Sequence, residues 1–115
     1  SSTMTEQGYA AAYHIFMAKH TGNPIKKMSY FNGGKSKLDK LIKQDPKNIE
    51  LRFIRLCIQY HAPSYLGYKD NIDDDKDFLV ENLHTIKDSS VKQLLFNYLK
   101  GANIYNSNEL ALLSR

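Results

Sequence analysis

Asn48-Ile49-Glu50-Leu51-Arg52-Phe53-Ile54-Arg55-Leu56-Cys57-Ile58-Gln59-Tyr60-His61 is the stretch on which the fold turns. Ile49, Phe53, Leu56, Cys57 and Tyr60 recur at helical spacing as one apolar stripe, and Leu51, Ile54 and Ile58 form a second. A helix apolar on two sides must be covered on two sides, so residues 48–61 predict a central helix. Arg52, Arg55 and Gln59, at i, i+3 and i+7, are the narrow polar strip left between the stripes. A guanidinium on a mostly buried helix has to be paired or has to reach a groove, because burying a lone charge is prohibitive. Two readings follow: an internal ion pair with Asp73, Asp74 or Asp75, or a clamp for a carboxylate or phosphate, which the planar guanidinium fork suits.

The pattern extends outward as helices on both sides. Residues 5–20 carry Tyr9, Ala12, Tyr13, Phe16 and Met17 as an apolar stripe, with Thr5 as N-cap and Ala10, Ala11 and Ala18 small enough for a close neighbour. Thr21-Gly22-Asn23-Pro24 stops this helix, with Gly22 as a left-handed terminator and Pro24 opening the next. Residues 24–44 place Ile25, Met28, Phe31, Leu38, Leu41 and Ile42 on a core face. Gly33-Gly34 marks either a tight contact with the first helix, the favoured reading, or a break. After residue 61 comes a loop whose Tyr65, Leu66 and Tyr68 predict that it folds back onto the helices. Asp73-Asp74-Asp75 opens a fourth helix, where acids complement the helix dipole. Ser89 or Ser90 caps a fifth, with Val91, Leu94, Leu95, Tyr98 and Leu99 in register, and residues 109–113 add a short turn. No stretch alternates like a strand, so the chain predicts an all-α domain spanning residues 1–115.

The first two helices, closed by Asp45-Pro46-Lys47-Asn48, resemble a degenerate tetratricopeptide unit: two antiparallel helices with a Pro near the end of the second. Gly34 stands at the small position, with Leu38 and Leu41 at the later apolar ones; the Trp-Leu-Gly-Tyr pattern of the first helix is missing and the linker is longer. The resemblance implies antiparallel hairpins in a right-handed array of about five helices. A further resemblance covers residues 8–83. Gly8-Tyr9-Ala10, Met17-Ala18-Lys19-His20, Asn23-Pro24, Glu50-Leu51-Arg52-Phe53-Ile54-Arg55-Leu56, Ala62-Pro63-Ser64-Tyr65-Leu66-Gly67-Tyr68 and Asp75-Lys76 are similar to uncharacterised exported helical proteins of Bacteroidetes-type bacteria. Those proteins start with a secretory signal, which implies export to the periplasm or beyond. The start of this chain shows no basic and apolar leader.

Composition bounds the function. At 115 residues, 42% hydrophobic and 24% charged, the chain has the make-up of one globular domain. One cysteine forms no internal disulfide, and on an apolar stripe it reads as inert core. The four histidines lack metal-ligand spacing, and residues 71–82 fail as a calcium loop, with Lys76 where Gly is required and Asn82 where Glu belongs. No nucleophile elbow or phosphate-cradling loop is present. The expectation is therefore no enzyme, no cofactor, no metal and no membrane span.

The charge is uneven: residues 1–60 carry ten Lys and Arg against four Asp and Glu, and residues 61–115 carry six against eight. Seven of the lysines fall between Lys26 and Lys47. The functional expectation is a protein- or peptide-binding scaffold module with a polar groove on the central helix. Arg52, Arg55 and Gln59 would meet an acidic or C-terminal partner, with Lys19 and His20 at the rim. Capping of the first helix is the plainer role for Lys19 and His20. The alternative is weak binding of nucleic acid or another anionic polymer through Lys26, Lys27, Lys37 and Lys40. The sequence leaves the oligomeric state open.

Overall fold

A computed structural model describes residues 3–115, apart from the side chain of Lys19. The described residues form six α-helices and no strand: α1 (Met4–Met17), α2 (Pro24–Gln44), α3 (Ile49–His61), α4 (Ile72–Asn82), α5 (Ser89–Gly101) and α6 (Ser107–Leu113). Short 3-10 turns occupy Ala18–His20, Ser64–Leu66 and Leu83–Thr85. The all-α expectation holds, with one helix more than the hairpin count implied.

The helix starts follow capping chemistry, though not always at the expected residue. Thr3, not Thr5, caps α1, its hydroxyl accepting from the Glu6 N–H at 3.0 Å. Thr5 instead accepts from the Asn48 side-chain amide at 3.1 Å, tying the start of α1 to the start of α3. Asp88, not Ser89 or Ser90, caps α5 through the N–H groups of Ser90 and Val91. A carboxylate one residue upstream satisfies both donors and also meets the positive end of the helix dipole. Asn106 and Glu109 open α6 with a reciprocal capping box. Gly22 does not serve as a left-handed terminator. The end of α1 tightens into the 3-10 turn and leaves through an extended Thr21, so no positive φ is needed.

α1 and α2 pack as an antiparallel pair, with Ala11 against Gly34 and His14 against Gly33. α2 is unbroken, so the glycine pair is a contact and not a kink. A Cβ on Gly34 would sit 2.7 Å from the Ala11 carbonyl oxygen and overlap the Ile15 side chain. Gly8 likewise lies under Leu51 of α3. The side of α1 and its following turn that meets the core is therefore the small one, Gly8, Ala11 and Ala18, and this overturns the expected aromatic stripe. Tyr9, Tyr13 and Phe16 stay exposed, with Tyr13 at 64%. The same approach leaves Ile25 and Met28 outside, whereas Phe31, Leu38, Leu41 and Ile42 of α2 are buried as expected.

α3 is central. Leu51, Phe53, Ile54 and Leu56 are buried along it, and Leu79, Leu83, Leu95, Leu99 and Leu113 from α4 through α6 complete the same core. The loop after α3 folds back in part: Tyr68 is buried with Phe31 and Ala18, while Tyr65 is 80% exposed.

Candidate functional site

The polar strip of α3 faces α4, and Asp75 stands at its centre, fully buried in the first turn of that helix. Arg52 donates from Nε to Asp75 Oδ1 at 2.6 Å, from Nη1 to the Pro46 carbonyl at 2.7 Å and from Nη2 to Asp74 Oδ2 at 2.9 Å. Arg55 forks onto the same carboxylate, Nε to Oδ2 at 2.8 Å and Nη2 to Oδ1 at 2.7 Å. Gln59 donates to Asp75 Oδ2 at 2.9 Å and accepts the Asn71 N–H at 2.8 Å. The Arg52 guanidinium also stacks over Phe78, 4.3 Å from the ring centre. Burial lowers the Arg55 pKa, but its bonds and charge contact with Asp75 outweigh that and raise it, so the guanidinium is permanently charged.

This geometry corrects the expected groove. Arg52, Arg55 and Gln59 do converge, but inward on a carboxylate of the chain itself. The internal ion pair is the reading that is built. Asp75 is the partner of both arginines and Asp74 a second partner of Arg52, while Asp73 takes no part in the recorded ion pairs. Among the described residues no buried side-chain nitrogen or oxygen is left without a hydrogen bond, and the remaining Arg55 nitrogen, Nη1, stands 4.0 Å from Asp39 Oδ1. His20 does not reach this cluster; it lies 4.6 Å from the Phe16 ring at the end of α1. The Lys19 expectation concerns a side chain outside the described residues.

An apolar pocket lies at the C-terminal end of α3. Its volume is about 520 Å³, bounded by the last turns of α1, the first turns of α2, the end of α3 and the 62–66 segment. Ile15, Phe31 and Ile58 line it, with Ala12, Ala18 and Ala62 as small floor residues. Phe16, Met28, Tyr65 and Tyr98 stand around it and are all exposed. Lys27 and His61 are its charged or titratable polar margin, and no carboxylate appears in its lining. Cys57 also lines it; burial pushes the thiol up to about 12, so it stays protonated at neutral pH.

No family model matches the chain, and neither the curated proteins nor the solved structures contain a match. Among the described residues no cluster of His, Cys, Asp or Glu could hold a metal ion, and no helix among them is long and apolar enough to cross a membrane. Lys26, Lys27, Lys37 and Lys40 are exposed on α2, as a solvated face or an anion-facing one would be.

Sequence reasoning missed the pocket because it assigned Phe16 and Met28 to the core. The signal was present in the small residues. Gly8, Ala11 and Ala18 on one helix, opposite Gly33-Gly34 on the next, mark the side of closest approach and so turn the aromatic side outward.

Proposed function

We propose that the chain is a binding module built of antiparallel helical hairpins, and that it takes an apolar segment of a protein partner into the pocket beside α3. Support for the tetratricopeptide-like arrangement comes from pair directions: α1 runs against α2, α3 runs against α4, and α1 runs alongside α3. Stacked hairpins of that kind present helix faces and grooves to partners.

The observation that carries the reading is the pocket with its exposed margin. Its volume falls within the roughly 300–1,000 Å³ of ordinary ligand sites, and its walls are apolar with few polar groups. Phe16 at 51% and Tyr65 at 80% exposure leave apolar surface in water, where burial by a partner gains about 25 cal/mol per Å². Contiguous exposed apolar surface around a concavity marks interaction sites. The arginine strip contributes rigidity instead, fixing α4 and the loop before it against α3.

Panning a random-peptide library against the folded chain tests this. Selected peptides should bind saturably, and filling the pocket by Ala62→Trp or Ala12→Met should weaken them at least tenfold. An empty selection, or peptides indifferent to both fillings, overturns the reading.

A further inference from the structure

The pocket's partner has a sign as well as a shape. Lys27 lines it and His61 borders its opening, with Lys26 beside Lys27 and His20 against Phe16. Lys27 is exposed and forms no ion pair among the described residues. No Asp or Glu lines the pocket. The carboxylates of α4 that are tied down, Asp74 and Asp75, are held by Arg52 and Arg55, and Asp39 accepts from the Tyr68 hydroxyl at 2.9 Å. Glu50 accepts the Tyr9 hydroxyl at 2.7 Å. The margin of the pocket thus carries a cation, Lys27, and no carboxylate around an apolar floor.

Resting on the binding reading above, we propose that the pocket recognises an acidic amphipathic segment of another protein. Its large apolar side chains would enter the pocket, and its Asp or Glu residues would meet Lys27 and Lys26. Complementary charge at an interface rim sets partner choice and encounter rate more than raw affinity. Two other occupants fit less well. A second copy of this chain is opposed by overall self-repulsion, since each chain carries +4. An anionic bilayer matches the charge, but a flat surface does not fill a concave pocket of about 520 Å³.

The test is the composition of the peptides selected on the wild-type chain and on Lys27→Glu. Lys27 is exposed, so the variant should fold, which circular dichroism checks; Lys27→Gln is a milder substitute. The wild-type pool should be rich in Asp and Glu beside apolar residues. Its members should lose affinity about fivefold to tenfold on Lys27→Glu, the scale of one exposed attraction turned into repulsion. They should also weaken on going from 50 to 500 mM salt. A pool without acidic bias that still fails on Ala62→Trp overturns the acidic partner while leaving the pocket reading intact. Peptides that ignore both Lys27→Glu and Ala62→Trp overturn the two together. Lys27-dependent capture by phosphatidylglycerol vesicles with no acidic peptide retained, or a dimer lost on Ala62→Trp, overturns the proposal in favour of a bilayer or a second copy.

Discussion

Arg55 grips Asp75 with two parallel hydrogen bonds, and both side chains lie between α3 and α4 with Asp75 fully buried. Arg52 and Gln59 complete the shell, so one carboxylate balances two guanidinium groups with help from Asp74. Removing the shared partner leaves two half-satisfied buried cations. Asp75→Ala should cost about 3–5 kcal/mol, the scale for breaking a buried pair from one side. Asp73→Ala, exposed in the same turn, should cost under about 1 kcal/mol of dipole stabilisation. Urea unfolding of both variants checks this; equal midpoints would show that the cluster contributes nothing beyond surface charge.

Adjacent glycines in α2 should respond in opposite directions. Gly34→Ala puts a Cβ into Ile15 and 2.7 Å from the Ala11 carbonyl, which the backbone of α1 cannot yield without moving. Overpacking of that kind costs roughly 1–3 kcal/mol. At Gly33 a Cβ meets only the His14 ring at 3.5 Å, an ordinary contact. Gly33→Ala should therefore gain up to about 1 kcal/mol of helix propensity. Thermal melts of the two single variants decide it, and a stabilised Gly34→Ala would show that α1 and α2 are not this close.

The central helix was legible because its composition admits few arrangements: its own Leu51, Phe53, Ile54 and Leu56 are apolar on most of its sides and leave Arg52, Arg55 and Gln59 as a narrow polar strip. The pairing of that strip with the Asp73–Asp75 run was legible as one of two readings, since buried charge demands a partner. Which side of α1 met the core was not. Tyr9, Tyr13 and Phe16 have the larger apolar payload, but payload does not set the distance between helix axes. Gly8, Ala11 and Gly34 let backbones approach, and packing at close range outweighs burying three rings. The pocket is a consequence of that choice, and hydrophobic periodicity alone places its rim residues inside.

Alkaline pH should loosen the fold through its phenols. Burial, and then the charge of Asp39 and the bond to it, push the Tyr68 pKa well above its ordinary value of 10.0. Tyr105 is raised mainly by burial, and Tyr9 by the partial covering of its ring and then by its bond to Glu50. A folded pKa above the unfolded one means that stability is intact below pH 10 and is lost as pH rises beyond it. The melting temperature should be flat from these groups between pH 7 and 9 and fall above 10. Tyr68→Phe should shrink the fall while leaving part of it to Tyr105 and Tyr9. An unchanged slope in that variant would show that its phenol is solvated.

Cys57 reports on the pocket floor. With its pKa raised from 9.0 to about 12, its thiolate fraction at pH 8 is about a thousandfold below that of a solvated thiol. A more basic thiolate is also the stronger nucleophile, which returns about twentyfold at a Brønsted slope near 0.45. Alkylation by iodoacetamide should therefore run about fiftyfold slower in the native chain than in urea. The native rate should keep rising tenfold per pH unit past pH 10 as long as the fold persists, whereas a solvated thiol levels off near 9. Levelling near 9 in the native chain would mean that water reaches the sulfur freely, and that the floor between α1 and α3 is not the dry surface an apolar anchor needs.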